Sequence, residues 1–197
     1  MAGQGRVIFL NGTTSSGKTM IASQLIEILD PPHFHMSVDM FSRMRSQRRT
    51  LDMDRASVSA LLRLTCLGFH RAAAGMAHGG NNVIVDHVLS ERWRLLDCLQ
   101  EFEGLDVILV GVRCSLVEVE RRERQRGMRV HGLAAEQYRR VHQHAMYDVE
   151  VDTEANSAAD CAEQIAAYAN KPPGRRVFED LRQLLTSTRE LPFAVDL

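Results

Sequence analysis

The chain has 197 residues, a formal net charge of −1 and a hydrophobic share of 45%, which is the length of one domain with enough apolar surface to bury a core. A charge so close to zero removes the general electrostatic reason to expect nucleic acid or an anionic membrane as partner. No apolar run reaches the roughly 20 residues of a membrane span, and Cys66, Cys98, Cys114 and Cys161 form no C-x-x-C pair, as expected for buried thiols of a cytoplasmic protein.

In chain order, strands and helices alternate. Residues 6–10 are a continuous apolar run, the pattern of a strand buried on both faces. Residues 11–19, Asn-Gly-Thr-Thr-Ser-Ser-Gly-Lys-Thr, follow, and residues 18–29 read as an amphipathic helix that Asp30-Pro31-Pro32 stops. Residues 33–38 alternate as a second strand ending in Asp39. Residues 40–54 are basic and irregular, with Arg43, Arg45, Arg48 and Arg49. Residues 55–76 have helical apolar spacing, and Gly79-Gly80-Asn81 leads to a third strand, 82–85, closing on Asp86. A helix over 90–102 is expected with Ser90 as its cap, then a fourth strand over 105–112. Helices follow at 115–126 and 133–146 around a loop at 127–132, then a fifth strand at 148–153. Ser157 or Asn156 should cap a helix reaching Tyr168. Residues 171–197 read as an extension of the 1–170 domain, a short helix plus tail. Such alternation predicts an α/β fold, a five-stranded parallel sheet with helices on both faces.

In these sheets ligands lie beyond the carboxyl ends of the strands. The loop after strand one fits the phosphate-binding pattern G-x-x-x-x-G-K-[ST] without a mismatch. Gly12 and Gly17 permit a tight turn, so the N–H groups of Thr13, Thr14, Ser15 and Ser16 can converge on an anion. Lys18 can reach the outer phosphates and Thr19 can bind Mg²⁺. The other strand ends supply Asp39, Asp86, Arg113 and Asp152-Thr153. Two carboxylates facing a triphosphate suit phosphoryl transfer, one taking the acceptor's proton and one supporting the metal. Asp86 is open between metal and acceptor contact, and His87 follows where a second acid would be expected. Phe41 and Arg43 are candidates for acceptor binding beside Asp39. The arginine-dense stretch from Arg121 to Arg129, with Gly127 and Gly132 as hinges, is the best candidate for a cationic lid.

These motifs resemble the chloramphenicol phosphotransferase family, related to small kinases such as shikimate kinase and the nucleoside monophosphate kinases. The likeness rests on 11–19, Ser-Val-Asp (37–39), Val-Ile-Val-Asp (83–86), Val-Gly-Val-Arg-Cys (110–114), Arg-Gly-Met-Arg-Val-His-Gly-Leu-Ala-Ala (126–135) and Tyr-Asp-Val-Glu-Val-Asp-Thr (147–153). The resemblance implies a three-layer P-loop kinase fold with an arginine-bearing lid. It also implies ATP- and Mg²⁺-dependent transfer of a phosphoryl group to a hydroxyl of a small, antibiotic-like molecule. Asp39 then matches the catalytic carboxylate, Lys18 and Thr19 the phosphate and metal contacts, and Arg126 and Arg129 the lid arginines. A sugar, nucleoside or nucleotide-sugar kinase on this scaffold stays open, as does a nucleotide-dependent switch without an acceptor. A homo-oligomer is neither required nor excluded.

Overall fold

The computed structural model describes residues 3–125, 132–172 and 174–188. Five parallel strands run β2-β3-β1-β4-β5: β1 Val7–Asn11, β2 His33–Ser37, β3 Asn82–His87, β4 Val107–Arg113 and β5 Val149–Asp152. Alternate residues of a strand face opposite sides, and here both sides are covered. Val7, Phe9, Val83, Val85, Val107 and Leu109 pack toward α4 (Arg55–His78) and α5 (Arg92–Glu101). Ile8, Leu10, Ile84, Ile108 and Val110 pack toward α1 (Lys18–Ile28) and α8 (Ala158–Ala169). That two-sided burial is why β1 and β4 read as unbroken apolar runs.

The register positions the strand ends. Asn11 pairs with His87 on one side and Gly111 on the other, and Ser37 pairs with Asp86. The loop after β1 therefore opens beside the ends of β2 and β3, at the point where the strand order reverses.

Several local expectations need correction. Asp39 does not end a strand: β2 stops at Ser37, whose hydroxyl accepts from Met40 N at 3.2 Å and starts α2, Val38–Met44. The basic segment after it is helical as well, with α3 spanning Gln47–Leu51. Ser90 caps nothing, because α5 begins after Glu91 without a side-chain cap. The helix expected to reach residue 146 ends early; α7 spans only Leu133–Tyr138 and gives way to turns. The helix from residue 115 is α6, Leu116–Gln125. Ser157 makes the expected capping box with Asp160.

The last helix, α9 (Val177–Thr188), belongs to the main core. Phe178 lies against Phe9 and Phe102, with ring centroids 5.7 and 6.4 Å away. Burying one such side chain contributes about 2 kcal/mol. Arg176 donates to Asp106 at 2.7 Å and Arg182 to the Leu99 carbonyl at 2.6 Å, fixing the helix to α5 and to the amino end of β4.

Candidate functional site

The loop between β1 and α1 is a cradle of backbone amides. Ser15 and Gly17 take left-handed conformations, φ 60° and 98°. Gly12 has no room for a side chain: a Cβ there would lie 2.7 Å from both the Val112 carbonyl oxygen and Ser16 Oγ. The Thr14 N–H donates to Gln137 Oε1 at 2.8 Å, so this amide faces inward and already holds an oxygen acceptor. Ser15 Oγ and Ser16 Oγ are buried without a partner among the described residues. Lys18 is buried and donates to the Gly12 and Thr13 carbonyls at 3.0 and 2.7 Å, with Asp86 Oδ1 at 4.0 Å.

Thr19 Oγ1 donates to Asp86 Oδ2 at 2.7 Å, and His35 Nε2 stands 3.7 Å from the same oxygen. Burial pushes the Asp86 carboxyl up, but His35, Lys18 and Thr19 outweigh it and hold the group below the ordinary range. Behind the cradle, Asn11 donates to the Val141 carbonyl and the Tyr147 hydroxyl, both at 2.8 Å, and accepts from Leu89 N at 2.9 Å. Thr153 Oγ1 donates to the Ser16 carbonyl at 2.7 Å. Arg122 donates to Thr153 Oγ1 and O at 3.0 and 2.8 Å, so this arginine braces the end of β5.

The cradle forms one side of a cavity of about 440 Å³. Asp39, Ser42 and Val38 from α2 face it, together with Leu62 and Cys66 of α4, Asp86 and His87 of β3, and Arg94 of α5. Asp39 and Asp86 thus border the same space as Thr14, Ser15, Gly17, Lys18 and Thr19. The helical turn explains which α2 residues take part: 38, 39 and 42 share a face at i, i+3 and i+4 spacing. Phe41 lies on another face, against Phe69 at 5.3 Å, and Arg43 is exposed; neither borders the cavity. Arg126 and Arg129 lie outside the described residues. Among the described residues, buried Glu123 accepts from Gly132 N and Ala134 N at 3.0 and 3.1 Å and so ties α6 to the start of α7.

Sequence reasoning missed three groups. Among the described residues, Arg94 donates to the Val88 carbonyl at 3.2 Å and to Glu91 at 3.1 Å, and its Nε has no partner. Gln137 reaches the cradle from α7. His70 and Asp97 join His87 in a buried chain, His70 Nδ1 to Asp97 at 2.5 Å and His70 Nε2 to His87 Nε2 at 3.0 Å. Nothing in the spacing of residues 70, 87 and 97 signals that meeting.

Residues 5–170 match the family model described as chloramphenicol phosphotransferase-like protein. A Mycobacterium tuberculosis protein named "Putative O-phosphotransferase" is 32% identical over 212 residues, covering 95% of this chain and 93% of its own length. The Mycobacterium tuberculosis APS kinase CysC, solved with AMPPNP and APS, superposes with a TM-score of 0.66 at 15% identity, over 85% of this chain and 99% of its own. The Deinococcus radiodurans tunicamycin resistance protein gives 0.57 at 22% identity, over 86% and 99%. A gluconokinase from Sinorhizobium meliloti gives 0.55 at 13%, over 93% and 96%. These structural likenesses establish a P-loop kinase fold. Among the described residues, no helix is long and apolar enough to cross a membrane.

Proposed function

This chain belongs to the chloramphenicol phosphotransferase-like family, and from that premise we propose that it transfers the γ-phosphoryl group of ATP to a hydroxyl of a small molecule. The observation that carries the reading is the shared cavity, which Asp39 borders together with Lys18, Thr19 and Asp86. In this reading the amides of residues 13–18 and the buried Ser15 and Ser16 hydroxyls hold the polyphosphate. Lys18 exchanges its carbonyl contacts for the outer phosphates. Asp39 orients the acceptor hydroxyl and takes its proton as the new O–P bond forms and the bond to the ADP oxygen breaks.

The hydroxyl of Thr19 and the carboxylate of Asp86 are hard oxygen donors 2.7 Å apart, a fit for Mg²⁺, which takes one or two protein ligands and completes its shell with phosphate oxygens and water. When bound, the ion neutralises charge on the β and γ oxygens. A low Asp86 pKa keeps that ligand ionised. Arg126 and Arg129 are proposed to add cationic donors over the transferring group.

The test is incubation with ATP, Mg²⁺ and a panel of hydroxylated antibiotics, nucleosides and sugars, read by mass spectrometry for a phosphorylated product. A product lost in Asp39→Asn supports the reading. No product, with ATP hydrolysis unstimulated by every panel member, overturns it in favour of a nucleotide-dependent switch.

A further inference from the structure

The phosphoryl-transfer scheme makes no use of the buried chain Asp97–His70–His87. It starts on α5, crosses α4 and ends on β3 at the cavity wall. Both imidazoles are fully buried, and the rings of Phe9 and Phe69 pack on His87. His87 borders the cavity that Asp39 and Arg94 also border. Its Nδ1 is buried and has no hydrogen-bond partner among the described residues.

Counting donors fixes the direction of this wire. A carboxylate only accepts, so the contact with Asp97 requires the His70 proton on Nδ1. Neutral His70 then has a bare Nε2 that can only accept. The 3.0 Å contact therefore needs a proton on His87 Nε2. That leaves the His87 Nδ1 lone pair without a donor. Aromatic surroundings of this kind favour neutral rings over a buried cation. An unpaired buried acceptor is costly; His87 lines the cavity, and a ligand O–H or N–H that reaches Nδ1 from there would remove the cost.

We infer that His87 Nδ1 is a specificity-determining hydrogen-bond acceptor for the molecule that is phosphorylated, reading a second O–H or N–H group besides the reacting hydroxyl. The inference rests on the phosphotransferase reading above and narrows its substrates to diols, polyols and amido alcohols. A molecule presenting a carbonyl at that point sets lone pair against lone pair and is rejected. His70 and Asp97 are positioning residues that hold the polarity of the wire.

The first arm of the test needs no turnover. In the full chain labelled with ¹⁵N-histidine, NMR reports the tautomer of each ring; His87 is expected to carry its proton on Nε2 and His70 on Nδ1. Asp97→Leu should release the constraint and populate both His87 tautomers, with ATP·Mg²⁺ affinity unchanged. A wild-type His87 protonated on Nδ1 overturns the inference. The second arm compares adenosine with its 2′- and 3′-deoxy forms, and chloramphenicol with its 1-deoxy and N-methyl forms. For a phosphorylated parent, removing the group that His87 reads should lower kcat/KM by about tenfold or more, and His87→Phe should abolish the difference. Equal kcat/KM across every pair overturns the inference. Failure to phosphorylate any parent counts against the phosphotransferase reading, while the tautomers still decide the wire.

Discussion

The cradle at residues 12–19 draws its inward-facing groups from one continuous turn, whereas the opposite wall of the cavity collects Asp39 from α2, Leu62 and Cys66 from α4, His87 from β3 and Arg94 from α5. The first half works mainly through backbone N–H groups, which depend on conformation and hardly on side-chain identity. The second half works through side chains 55 residues apart in sequence at its extremes, 39 and 94. In the proposed phosphotransferase, a phosphate site can thus be held constant while the acceptor wall is rebuilt one residue at a time. The two halves should also break differently.

Asp39→Asn is the sharpest cut. It removes the proposed base but leaves the cradle intact, so kcat should fall by about 10²- to 10⁴-fold while the ATP dissociation constant, measured by calorimetry, stays within about twofold. Loss of ATP affinity instead would assign Asp39 to the cradle and erase the distinction. Lys18→Ala should lower ATP affinity and turnover together, because its Nζ sits against the loop itself; a variant retaining either one contradicts the phosphate role. Gly12→Ala attacks the same half through the backbone. Its Cβ would meet the Val112 carbonyl at 2.7 Å, an overpacking that costs about 1–3 kcal/mol and should appear as a lower Tm with weakened nucleotide binding. Thr153→Val is milder, removing the hydroxyl that ties β5 to the Ser16 carbonyl, with an expected loss near 1 kcal/mol in urea unfolding.

The same contrast explains what the sequence made legible. The sheet, the phosphate loop and the central strands were readable because each is written in consecutive residues: apolar runs, two glycines, a lysine and a threonine at set spacing. Asp39 and Asp86 were singled out because parallel sheets bind ligands at their carboxyl ends, and both border the cavity. Phe41 and Arg43 were expected beside the acceptor from proximity to Asp39, but the Ser37-capped turn of α2 sends them to other faces. That a cap, one hydroxyl accepting from Met40 N, converts a strand end into a helix start was not visible in the basic run that follows. Arg94 and Gln137 had no signal, since a helix face acquires meaning only when its neighbours are known. His70 and Asp97 looked like ordinary residues of α4 and α5 until packing of the two helices brought them together.

A last effect is read by pH and draws on histidines in both halves. His142 and His144 sit behind the cradle, around Asn11 and Tyr147. Burial, then the Arg113 charge among other contributions, lowers them to about 3 and about 4 from 6.5. Between those values and 6.5 the unfolded chain binds protons that the folded chain refuses, so unfolding free energy rises with pH across the window and is lost as pH falls through it. Each histidine contributes a slope of up to about 1.4 kcal/mol per pH unit. The carboxylates whose pKa values folding lowers, Asp86 and Glu118 among them, act only below their unfolded values of 3.8 and 4.5. Asp148, raised by burial, works in the opposite sense. Loss between pH 6.5 and 5 is therefore a histidine effect, and His33, His70 and His87, all lowered by burial, add to it. In urea titrations at pH 7 and 5, His144→Gln should flatten the decline while leaving the stability at pH 7 less affected. An unchanged decline would mean that His144 is as protonated in the folded protein as in the unfolded chain, contrary to the lowered value that its burial imposes.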